Sequence, residues 1–152
     1  MSAQTCCPVV ELRQYTLVPG GREELISLFE REFIETQETT GMIVIGQFRD
    51  LNNPDRFVWL RGFNDMNTRA AQLHEFYGGP VWKAHRDEAN ATMIDSDNVL
   101  LLRPASSSSG FELGQAKRSP LGSTAERRAL LAATIYHLGE TRGADFVNLF
   151  KR

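Results

Sequence analysis

The chain has almost no cysteine, no long apolar run and no surplus of positive charge. Its 152 residues include two cysteines, Cys6 and Cys7, which are adjacent. Adjacent thiols cannot tie distant parts of a chain together, so they are expected to staple nothing and to suit a reducing compartment. No stretch approaches the roughly 20 apolar residues that cross a bilayer, and no leader-like h-region opens the chain. A soluble, cytoplasmic protein is therefore expected. The net charge is −2, and basic residues never run beyond the doublets Lys117-Arg118 and Arg127-Arg128. Neither nucleic acid nor an anionic membrane is an expected partner. Phosphate-cradling glycine loops, nucleophile elbows and cysteine–histidine pairs are missing as well. His74, Glu75, His85 and Asp87 lack metal-ligand spacing, so no metal and no cofactor is expected.

What remains is the composition of a folded domain, 41% apolar and 24% charged, with enough chain for one core. Residues 9–17 alternate in polarity with period two and predict a strand. Pro19-Gly20-Gly21 breaks it. Leu25, Ile26, Phe29, Phe33 and Ile34 then recur at helical spacing, predicting a helix over residues 22–37 with Glu23 and Glu24 in its first turn. Residues 42–49 and 56–63 read as a hairpin around the turn Asn52-Asn53-Pro54-Asp55. Asn64-Asp65 can cap a helix reaching residue 76, and Gly78-Gly79-Pro80 separates it from another ending near residue 93. A last strand is expected over residues 99–103.

The order strand, helix, strand, strand, helix, strand describes an α+β, ferredoxin-like unit: an antiparallel sheet with helices on one side. One sheet face would be left bare, carrying Ile43 and Ile45 or else Phe57 and Trp59. A second sheet of the same kind would cover it, so a homodimer is expected, or pairing within one longer chain.

The end of the chain repeats its beginning at an offset of 121. Tyr15 meets Tyr136, Leu17 meets Leu138, and Leu28-Phe29 meets Leu149-Phe150. The expected organisation is a disordered segment 1–8, a domain over 9–104 and a serine-rich linker over 105–130. Ser123 to Glu126 would start a short helix there. Residues 131–152 would form the first strand and helix of an incomplete second repeat.

Residues 11–20 (ELRQYTLVPG), 53–63 (NPDRFVWLRGF) and 76–82 (FYGGPVW) resemble the NIPSNAP family, and the likeness covers residues 9–104. It implies a ferredoxin-like domain that pairs into a dimeric α+β barrel, in a family without one settled activity.

Chemistry concentrates on the first and third predicted strands. Glu11, Arg13 and Tyr15 share one face of the first; Trp59 and Arg61 share one face of the third. If those faces meet, they form a pocket with an aromatic wall, two guanidiniums and a carboxylate. Such a pocket suits a small aromatic or polyketide-like ligand bearing an anionic oxygen. The structural alternative is that Glu11 and Arg13 pair with each other and Trp59 is core. Tyr15 and His85 are the candidates for proton chemistry, His85 standing three residues after Trp82 on a helix. Three functions stay open. One is a small-ligand-binding or scaffold protein using the barrel. The second is a cofactor-independent oxygenase or isomerase, and the third is a shortened form of a two-repeat protein.

Overall fold

The computed structural model describes residues 6–114, 117–120, 130–140 and 142–150. β1 (Val9–Leu17) lies inside the sheet. β3 (Arg56–Phe63) runs antiparallel to it from Val9 opposite Phe63 to Thr16 opposite Arg56. β2 (Ile43–Arg49) closes the hairpin on β3, with a bulge between Val44 and Gly46. The other edge of β1 takes two short strands, β4 (Met93–Asp95) and β5 (Val99–Leu102). The strand expected over residues 99–103 is present as β5; β4 is an additional short strand, set off from it by the turn at Asp97, whose N–H donates to Asp95 Oδ1 at 2.8 Å. Met93, expected near a helix end, already belongs to the sheet.

α1 (Arg22–Leu28), a π-helical turn (Phe29–Phe33) and α2 (Ile34–Thr39) follow one another without interruption. They form the predicted first helix, extended by two residues. π turns widen a helix locally and often mark functional sites. Here Phe29, Phe33 and Gln37 are all buried against the sheet. α3 (Met66–Gly78) begins at a capping box in which Thr68 N–H donates to Asp65 Oδ1 at 2.8 Å and Asp65 N–H donates back to Thr68 Oγ1 at 3.1 Å. α4 (Pro80–Ala91) starts with proline at its first position, where the missing N–H costs nothing.

All helices of the unit lie on one face of the sheet. That face carries Tyr15, Leu17, Phe57, Trp59 and Phe63, which join Leu25, Phe29 and Phe33 in the main core. The opposite face carries Val10 and Leu60, with Leu12, Ile45 and Phe48 partly buried around them. The ambiguity left by the alternation is thereby settled: Phe57 and Trp59 lie under the helices, Ile45 on the other side.

Cys6, Cys7 and Phe111 pack against that second face, and Cys6 N–H donates to Phe111 O at 2.6 Å. Residues 1–5 of the segment expected to be disordered lie outside the described residues. Cys7 itself is buried. A disulfide joins Cys6 to Cys7; between neighbours it ties no distant parts of the chain together. The turn at Cys7, with φ of +66°, brings the neighbouring sulfurs together. Gly62 makes room for it: a Cβ there would collide with Cys7 Sγ and stand 2.5 Å from Cys7 Cβ.

Beyond the unit, α5 (Gly143–Phe150) buries none of its residues. Its Phe146 and Phe150 pack on Tyr136 with ring centroids 4.9 and 6.2 Å apart. Residues 131–138, expected as a strand, pair with no strand in the described residues. A lone strand has no ladder to hold it. The short helix expected from Ser123 lies outside the described residues. No helix among the described residues is long and apolar enough to cross a membrane.

Candidate functional site

The β1–β3 register decides what the two strands put together. Glu11 stands opposite Arg61, Arg13 opposite Trp59, and Tyr15 opposite Phe57. Directly opposed residues share a face, so the four residues expected to bind ligand meet on the helix side of the sheet, with Tyr15 beside them.

Glu11 is fully buried and serves three arginines. Arg61 Nε donates to Glu11 Oε2 at 2.7 Å, Arg13 NH1 to the same oxygen at 2.9 Å, and Arg69 Nε to Oε1 at 2.7 Å. Arg61 is also buried; NH1 donates to Gln37 Oε1 at 2.9 Å and NH2 to the Tyr77 hydroxyl at 3.4 Å. Its guanidinium lies 5.0 Å from the Trp59 ring centre and 5.8 Å from that of Tyr77. Arg13 Nε donates to the Tyr15 hydroxyl at 2.9 Å. Side-chain exposures of 1% for Arg61, 13% for Arg13 and 24% for Arg69 against 0% for Glu11 place the cluster largely out of water. Three guanidiniums and one carboxylate leave it two positive charges in excess.

That surplus sets the protonation states. Burial pushes the Glu11 carboxyl up, but Arg61 and Arg13 outweigh it and hold it below the ordinary carboxylate range. Burial raises the Tyr15 phenol, with Tyr77 adding to the rise and Arg13 opposing it. Tyr15 is therefore neutral near pH 7 and keeps its proton. Burial works against the Arg13 charge, but Tyr15, Tyr77 and Glu11 hold it above its ordinary value.

In front of the cluster lies a cavity of about 30 Å³. Its walls include Tyr15, Phe29, Phe33, Trp59, Phe76, Tyr77 and Trp82, with Gln37, Ala89 and Met93 between them. Glu11, Arg13 and Arg61 do not line it. Their hydrogen-bond partners Tyr15, Gln37 and Tyr77 do, so the charges sit one layer behind an aromatic chamber. Trp59 Nε1–H is buried without an acceptor among the described residues. A space of this size holds about two waters, whereas a benzene-sized guest needs about 150 Å³. Tyr77 and Trp82 are only partly buried, their rings 5.0 Å apart, and they flank the Gly78-Gly79 junction between α3 and α4. Gly78 ends α3 and Gly79 stands between the two helices.

His85 belongs elsewhere. It sits on α4 with its ring 6.5 Å from Phe33, Nδ1 3.3 Å from Glu88 and Nε2 3.6 Å from Glu32, and it does not line the cavity. His74 is exposed. No three His, Cys, Asp or Glu side chains among the described residues are grouped to hold a metal ion.

Sequence reasoning missed Arg69, Gln37, Tyr77 and Trp82 as site residues. Tyr77 and Trp82 fall within residues 76–82, a segment already singled out. Arg69 gave no signal, because 58 residues separate it from Glu11. The structural alternative is present as well: Trp59 does pack in the core, and Glu11 does pair with Arg13.

None of the curated proteins matches the chain. Among solved structures, an uncharacterised NIPSNAP-like domain protein from Burkholderia xenovorans is similar at 28% identity and TM-score 0.61, over 78% of this chain and 97% of that one. A NIPSNAP family protein from Agrobacterium tumefaciens is similar at 23% identity and TM-score 0.58, over 63% and 84%. The fold alone extends to a putative antibiotic biosynthesis monooxygenase from Chloroflexus aurantiacus, at 15% identity and TM-score 0.51 over 64% and 93%. The family model NIPSNAP matches residues 10–109, more than half of the sequence, and the chain belongs to that family.

Proposed function

We propose that the protein binds a small, planar, largely apolar molecule carrying an oxygen acceptor, in the aromatic chamber between sheet and helices. The observation that supports this is the pairing of an aromatic-lined cavity with a largely buried cluster that its own single carboxylate does not neutralise. Buried positive charge is costly unless it is paired, so an anionic guest near the surplus is favoured, and aromatic walls select flat guests. Ring entry requires Tyr77 or Trp82 to move. We place the binding unit in a pair, two copies covering the second sheet face where Val10, Leu12, Ile45, Phe48 and Leu60 gather. We favour binding over catalysis because, among the described residues, no carboxylate, imidazole or amine lines the cavity to take a proton.

The test uses 2-naphthol as probe and thermal unfolding as readout. Saturating naphthol should raise the melting temperature of the wild-type protein by mass action. Ala89→Leu, which fills the cavity from α4, should fold and show no rise. An absent shift in wild type, or an equal one in Ala89→Leu, would discard the chamber as the site.

A further inference from the structure

Taking the chamber as the binding site, we infer that it selects the ionised form of a phenol or enol, whose oxygen accepts from Tyr15 O–H and Trp59 Nε1–H. The inference starts from how the donors are committed. Arg13 Nε occupies one lone pair of the Tyr15 oxygen at 2.9 Å. The Tyr15 proton itself has no acceptor among the described residues. The hydroxyl is thus left as a donor, strengthened by the cation behind it. Trp59, a residue lining the same cavity, carries a second unspent donor in its Nε1–H. The rings of Tyr15 and Trp59 meet edge-on at 6.1 Å.

The guest class follows from what these donors demand. A carboxylate would call for direct bidentate contact with a guanidinium, and among the described residues no guanidinium lines the cavity. A neutral ketone would leave the two surplus charges unanswered. A single anionic oxygen on a flat ring answers both: two neutral donors reach it, and the arginines stabilise its charge through one intervening layer.

The charged and titratable groups around that oxygen are Glu11, Arg13 and Tyr15 from β1, Arg61 from β3, and Arg69 and Tyr77 from α3. Glu11 is engaged by its three arginines. From α2 comes the amide of Gln37, while Glu38 is held by Arg118 at 2.6 Å. From α4, His85 faces Glu32 and Glu88. No free anion in this set competes with the guest.

The experiment is a spectrophotometric pH titration of 4-nitrophenol with excess protein, since phenol and phenolate absorb at different wavelengths. Bound 4-nitrophenol should titrate at least one pH unit below the free compound, meaning at least tenfold tighter binding of the phenolate. Tyr15→Phe, which removes only the hydroxyl, should lose most of that shift, and Trp59→Phe part of it. 4-Nitroanisole, which cannot ionise, should bind at least tenfold more weakly at pH 8. Binding of 4-nitrophenol with unchanged titration overturns this inference and leaves the chamber as a site for neutral guests. No binding of either compound overturns both. An unchanged shift in Tyr15→Phe and Trp59→Phe overturns the assignment of the donors.

Discussion

Replacing Glu11 with glutamine would test the charge cluster without changing its shape. The amide keeps one acceptor oxygen, for Arg69 or for the Arg61–Arg13 pair, turns an N–H2 donor toward the other side, and removes the carboxylate they share. A hydrogen bond to a charged group contributes about 1.5–3 kcal/mol, so losing at least one of the three outright and the ionic share of the rest costs about 3 kcal/mol or more. Leaving buried charges without their partner gives a similar figure, about 3–5 kcal/mol. Against a typical stability of about 5–15 kcal/mol this is a large fraction. With a urea m-value of about 2 kcal/mol/M, the midpoint should fall by roughly 2 M. The assay is urea unfolding followed by tryptophan fluorescence and circular dichroism together. The pH dependence supplies a second reading. Because the folded Glu11 carboxyl lies below its ordinary 4.5, its contribution is complete above that value and lost as pH falls through the lower one. Glu11→Gln should therefore flatten the acid limb of the stability curve. A loss under about 1 kcal/mol with an unchanged acid limb would refute the reasoning.

Further expectations are tied to single contacts. Gly62→Ala should cost about 1–3 kcal/mol by overpacking Cys7, and adding Cys7→Gly should recover part of it; equal stability of Gly62→Ala and wild type in urea would contradict the packing. Tyr15→Phe should flatten the alkaline limb, because a phenol raised above 10.0 contributes fully below that value and loses the contribution as pH climbs past it. His85→Ala should change stability by less than about 1 kcal/mol and leave 2-naphthol binding intact; lost binding would place His85 in the site. Deleting residues 130–152 should leave the urea midpoint nearly unchanged, since α5 buries no residue, and a marked drop would show that the tail supports the unit.

The element order, and the membership of each strand face, were legible because burial imposes a period of two on strands. Glu11, Arg13 and Tyr15 could be placed on one face from alternation alone. Their meeting with Trp59 and Arg61 depended on register, which the turn at Asn52 to Asp55 constrains only approximately. Arg69 and Gln37 enter through helix packing, and no local pattern encodes which helical residue reaches a given strand. The extra strand β4, three residues long, and the left-handed turn at Cys7 are too short to carry a periodicity. The repeat at offset 121 was visible, yet its copy puts Ala132 where Glu11 stands and Thr134 where Arg13 stands. Tyr136 keeps aromatic neighbours like those of Tyr15, without the charge cluster.

The most direct test of the account is the anomalous scattering of a crystal soaked in 4-bromophenol. A bromine peak inside the chamber between Phe33 and Trp59, with the phenol oxygen beside Tyr15 and the rim at Tyr77 or Trp82 displaced, is the predicted result. A soaked crystal whose only bromine peaks lie outside the chamber, with Tyr77 and Trp82 unmoved, would contradict it.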